Sequence, residues 1–98
     1  MGDVTPRLKN RISRDFPGSA EEVIDRLRQL PPGDSPAGEE RVMAGVVLAA
    51  AGRSDVFVYY LRLATEDWRD VLVAGGLANE DWRARLDAEL PVQRPRSS

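Results

Sequence analysis

The chain has no cysteine and no histidine. Without cysteine there is no disulfide framework, zinc finger or thiol nucleophile, so stability has to come from packing, and a reducing compartment is favoured. Without histidine the usual general base near neutral pH and the commonest metal ligand are missing, and every Ser-His-Asp scheme goes with them. No glycine-rich phosphate loop of the Walker or dinucleotide type occurs. Lysine is nearly absent too. Of 14 basic residues only Lys9 is lysine and the rest are arginine, which alongside abundant Ala, Gly, Val and Asp reads first as a GC-rich genome and only second as phosphate binding. Long apolar runs are also missing: the longest, Val42 to Ala51, falls well short of the about 20 residues a membrane span needs, so a buried core helix is predicted there. Met1-Gly2-Asp3-Val4 has no apolar signal-peptide core, and Pro6-Arg7 stand where a myristoylation motif wants Ser or Thr. The expectations are therefore a cytoplasmic protein, no membrane partner, no cofactor and no enzyme activity.

What remains describes an ordinary globular domain of 98 residues, 42% apolar and 31% charged, with room for one core. The expected layout is a single helical domain over residues 1–90 and a flexible tail over 91–98. A first helix is predicted from Thr5 to Phe16, with Thr5 as N-cap and Pro6 in the first helical position. Val4, Leu8, Ile12 and Phe16 recur every four residues as one apolar stripe, and Pro17-Gly18 stops the helix. Ser19 with Glu22 reads as a capping box opening a second helix, whose buried face is Ala20, Val23, Ile24, Leu27 and Leu30. A proline-rich loop follows, and Ser35 then caps a third helix running to about Ala51. That helix is apolar on more sides than the others, so it is predicted to be central. Its Ala44, Gly45, Ala49 and Ala50 let a neighbour come close, and Gly52 ends it at positive φ. Asp55 to Leu61 is rich in aromatic and β-branched residues, as strands are. Ser54 can cap a helix there, however, and no second segment offers a pairing partner, so a helix is predicted.

The last third contains an echo. Thr65-Glu66-Asp67-Trp68-Arg69 with Leu72 matches Asn79-Glu80-Asp81-Trp82-Arg83 with Leu86. Thr65 and Asn79 read as caps, the acids suit the first turn of each helix, and Gly75-Gly76 separates the two. Two readings of the tryptophans compete. Trp68, Arg69, Trp82 and Arg83 together offer a paired recognition surface, because Trp and Arg are frequent binding anchors. The preferred reading packs both tryptophans into the core at helix starts. Tyr59 and Tyr60 are adjacent and cannot share one helical face, so at least one is expected at a surface, and Tyr59 joins the candidate partner-binding residues.

A second candidate is the first helix, where Arg7, Arg11 and Arg14 form a basic stripe suited to nucleic-acid phosphates or an acidic partner. Against it, the net charge is −2 and the isoelectric point near 5.1, so a solvated face is the preferred account. The carboxylate pairs Glu66/Asp70 and Glu21/Asp25, one helical turn apart, are better read as partners of Arg69 and Arg28 than as metal or proton sites. Gly33-Asp34-Ser35 has the look of an esterase nucleophile but lacks a strand before it and a histidine after it, so Ser35 is a helix cap.

From Glu39 to Leu90 the order of features resembles short uncharacterised proteins of actinobacteria. Glu40-Arg41-Val42 leads the alanine-rich helix, Asp67-Trp68-Arg69-Asp70-Val71-Leu72-Val73-Ala74-Gly75-Gly76-Leu77-Ala78 follows, and Glu80-Asp81-Trp82 with Leu86-Asp87 closes it. The resemblance covers about half the chain and implies a bacterial source and an all-helical fold, and it transfers no activity. The combined expectation is an all-α protein: an irregular bundle of five or six short helices around a central apolar helix. The expected function is a non-catalytic protein–protein interaction or assembly module, with a protein partner or a homo-oligomer, a dimer first. The alternative is a regulatory nucleic-acid-binding protein using Arg7, Arg11 and Arg14.

Overall fold

A computed structural model describes residues 4–31 and 36–90. Within them the chain forms six α-helices in sequence: α1 (Pro6–Asp15), α2 (Ala20–Arg28), α3 (Pro36–Ala50), α4 (Ser54–Glu66), α5 (Trp68–Gly75) and α6 (Trp82–Glu89). No strand occurs among the described residues, so the ambiguous stretch Asp55 to Leu61 is helical, as its flanks require. The expected cap Ser35, the Gly33-Asp34-Ser35 motif and the tail over 91–98 lie outside the described residues.

The four-residue apolar repeat of α1 becomes its buried stripe. Leu8 and Ile12 are fully buried, and Val4 and Phe16 extend the line beyond both helix ends. Phe16 then meets Phe57 of α4 edge-on, with ring centres 5.7 Å apart, joining the end of the first helix to the fourth. Helix α3 is the central element. Met43, Ala44, Val46, Val47 and Ala50 are all buried, and α3 packs against α5, α4 and α1. Its contact with α5 is made through glycine. A Cβ built on Gly75 would stand 2.8 Å from both the Cα and the carbonyl oxygen of Gly45, so the two backbones touch where neither residue has a side chain. Sequence alone makes Gly75 a separator. In the fold it is the last residue of α5 and part of this crossing.

Two left-handed stops shape the second half. Ala51 and Gly52 end α3 at φ values of 51° and 80°. Gly76, at φ 77°, ends α5, with the Leu77 N–H donating to the Leu72 carbonyl at 2.8 Å and the Gly76 N–H to Val73 at 3.2 Å. Leu77 is thereby turned into the core, where it is fully buried. Helix α6 contributes Leu86 to the same core, and Leu90 follows just beyond its end. Among the described residues no polar or charged residue is buried, and no buried side-chain nitrogen or oxygen lacks a hydrogen-bond partner.

The predicted caps fare worse than the predicted helices. Thr5 occupies the N-cap position of α1, but its hydroxyl donates to the Glu40 carboxylate instead of accepting from the helix. Ser19 is the N-cap of α2 without a side-chain bond, and Glu22 faces Arg26, so no capping box forms. Ser54 is the first residue of α4, with Arg53 in the cap position. Thr65 lies in the last turn of α4, where its hydroxyl donates to the Arg62 carbonyl at 2.7 Å. The caps of the two echo helices are Asp67 and Asp81, one residue before each tryptophan, not Thr65 and Asn79. Only Asp67 accepts a backbone N–H, that of Arg69 at 3.2 Å.

Candidate functional site

The basic stripe of α1 is largely internal wiring. Arg7 grips Glu40 of α3 with both ends of its fork, Nη2 to Oε1 at 2.6 Å and Nε to Oε2 at 3.0 Å, while Nη1 reaches Asp87 of α6. Its side chain is 16% exposed and that of Glu40 12%. The paired charges favour each other's ionised forms: the guanidinium pKa is raised chiefly by the hydrogen bond to Glu40, and the Glu40 carboxyl is lowered chiefly by the bond from Arg7. Arg11 holds Asp15 one turn on at 2.9 Å and donates to the Glu89 carbonyl at 3.1 Å. Arg14 is exposed in the last turn. Two of the three stripe arginines thus tie α1 to α3 and to the end of α6, where cations suit the free carbonyls.

The two tryptophans of the echo have different surroundings. Each is the first residue of its helix, and the leucine four positions on is buried in both copies. Trp68, however, is 45% exposed, with the Arg69 guanidinium 5.6 Å from its ring, so core packing does not describe it. Val71 and Leu72, three and four positions on and so on the same side of α5, are buried, while Trp68 at the very start of the helix stands beyond what covers them. Tyr59 is 61% exposed and lies edge-on to Tyr60 at 5.0 Å, while Tyr60 is partly buried against the core, so the adjacent tyrosines divide between surface and interior as their spacing requires. Val58 and Val73 are exposed too. The exposed large apolar residues among those described, Val58, Tyr59, Trp68 and Val73, all belong to α4 and α5.

Trp82 packs partly into the core and carries two guanidiniums. Arg41 stands 4.6 Å and Arg83 4.8 Å from the ring centre. Arg41, at the head of the apolar part of α3, also donates through Nε and Nη2 to the Leu77 carbonyl, at 2.9 and 2.7 Å. Its pKa is lowered, first by burial and then by repulsion from Arg83. Arg85 lies against Gly76, where an added Cβ would come within 3.0 Å of its Nε. Sequence reasoning reaches Arg83 through the echo but misses Arg41 and Arg85 as site residues. The partner of Arg41 is 36 residues away, and no local pattern announces it.

The carboxylate pairs stay on the surface. Glu66, Asp70, Glu21 and Asp25 are all exposed, and Asp25 faces Arg28 at 3.8 Å, whereas the Arg69 guanidinium turns to Trp68. No group of three metal-ligating side chains comes together among the described residues. A shallow depression lined by Lys9, Glu21, Ile24, Asp25 and Arg28 carries charges of both signs. No helix among the described residues is long and apolar enough to cross a membrane. In comparison with known proteins, no family model matches the chain, and no curated protein or solved structure matches it either.

Proposed function

We propose that the chain is a non-catalytic interaction module that acts by self-association through the outer face of α4 and α5. The observation that carries this reading is the restriction of Val58, Tyr59, Trp68 and Val73, exposed among otherwise well-buried apolar residues, to two helices consecutive in the chain and packed on each other. Exposed apolar side chains gathered on one part of a surface mark contact sites, and Tyr and Trp bring large rigid area with a polar handle. The symmetric pairing of one face with its own copy is the commonest assembly of such modules.

Sedimentation and light scattering across a concentration series test it. A dimer is expected to form at high concentration, and Tyr59→Glu and Val73→Glu, both at exposed positions, are expected to return it to monomer with unchanged helical content. A wild-type chain still monomeric at about 1 mM, where even a millimolar pair is substantially associated, overturns the reading. The nucleic-acid alternative has weaker support, because Arg7 and Arg11 already meet carboxylates within the fold.

A further inference from the structure

Among the described arginines, Arg14, Arg62 and Arg69 stand apart from one another on exposed helix positions, and the others differ in what they face. Arg7, Arg11, Arg26, Arg28 and Arg53 face carboxylates within ion-pair distance. Arg41, Arg83 and Arg85 make no ion pair among the described residues, yet they gather around one place, the link between α5 and α6. Arg41 holds the Leu77 carbonyl, Arg85 lies against Gly76 next to it, and Arg83 shares the Trp82 ring with Arg41. Like charges brought together in this way repel, and the lowered pKa of Arg41 reflects both that repulsion and the partial loss of water. The Leu77 carbonyl takes Nε and one hydrogen of Nη2, which leaves the Nη1 end of the Arg41 fork without an acceptor among the described residues. Trp82 fixes two of the guanidiniums in place, so little side-chain freedom remains to be lost on binding.

We propose that Arg41 and Arg83, held on Trp82, and Arg85, lying against Gly76, form a binding site for the carboxylates of a Glu- and Asp-rich peptide segment of a partner protein. A planar guanidinium matches a carboxylate in two parallel hydrogen bonds, and a second positive charge beside it neutralises the next acid along the segment. An acidic peptide suits the place better than a nucleic acid. The Trp82 ring already carries two guanidiniums, so it is a poor stacking platform for a base. The cluster is a spot of three guanidiniums and not a stripe, which suits a few side-chain carboxylates better than a continuous polyphosphate backbone. The site does not depend on the α4–α5 face, and a monomeric chain has it in full.

Trp68→Phe in the whole chain leaves Trp82 as the only tryptophan, and its fluorescence reads the guanidiniums above it. Titration with hexaglutamate at low salt is expected to give a saturable change. Arg83→Gln and Arg85→Gln, both at exposed positions, are each expected to weaken binding about tenfold, the worth of one good charge-assisted contact. Raising the salt from about 0.05 to 0.5 M is expected to remove binding, because screening shortens the reach of the charges. Arg41→Lys tests the fork: a point charge keeps the sign but loses the bidentate match, and weaker binding is expected at a temperature where circular dichroism shows the variant folded. Hexaglutamine is expected to leave the signal unchanged. Equal affinity in both glutamine variants, no saturable response to hexaglutamate, or tighter binding of an oligonucleotide of the same length overturns the proposal.

Discussion

Arg7 ties three helices together through polar contacts. It joins α1 to α3 through Glu40 and to α6 through Asp87, and Thr5 adds a hydroxyl to the same carboxylate. Because the Glu40 pKa is lower in the fold than in the unfolded chain, the stability it contributes is present above its ordinary value of 4.5 and is lost as pH falls through the folded value. Glu40→Gln removes the charge at every pH. Urea unfolding measured from pH 7 to pH 3 is therefore expected to show the variant less stable than wild type at neutral pH, with the two curves converging in acid. Curves that stay parallel across the range would sink the assignment. Such a role was not legible in the sequence. An arginine in an otherwise acid-free stretch of helix reads as part of a free basic face, because its carboxylates come from positions 33 and 80 residues away.

At the level of single helices, periodicity was informative and capping was not. The α1 stripe and the apolar surround of α3 are written in the chain at spacings a helix makes audible, and burial follows them. Caps depend on where one hydroxyl turns, and a tertiary partner can outbid the local backbone, as Glu40 does for Thr5. The echo shows the same division. Its register, helix start at Trp and buried Leu four residues on, holds in both copies, while exposure of the tryptophan depends on what each helix packs against. The α3–α5 crossing supplies the sharpest prediction at this scale. Gly75→Ala places a methyl group 2.8 Å from the backbone of Gly45, which no side-chain adjustment can relieve. A loss of about 1–3 kcal/mol is expected in urea unfolding, as for other overpacked contacts. Gly18→Ala, where an added Cβ meets nothing within 4 Å, serves as the control and is expected to be near neutral.

Across the whole molecule, the fold divides into a dry centre and a polar clasp. Helices α3, α4 and α5 pack on one another through apolar side chains and the glycine crossing. Helix α6 brings fewer buried side chains, chiefly Leu86 with Leu90 after it, and is held to α1 by Arg7 and Arg11. The surface differs from place to place: the exposed large apolar residues among those described lie on α4 and α5, and guanidiniums gather around Trp82. The all-helical layout with α3 at its centre was legible in the sequence, while the arginine cluster was not, because it forms only when α3, the α5–α6 link and α6 converge.

The Arg7–Asp87 contact closes a loop of 80 residues, and that closure has a kinetic consequence. Closing so long a loop costs chain entropy and returns only a few contacts, so the α1–α6 seam is expected to form late and open early. Native-state hydrogen exchange is expected to release the α6 amides in a subglobal opening well below the free energy that protects α3. Because the seam is ionic, added salt is expected to lower the α6 opening energy while leaving α3 protection almost unchanged. Ionic strength is then expected to act on the opening of α6 alone, and the fluorescence of Trp82, the first residue of that helix, is expected to report it.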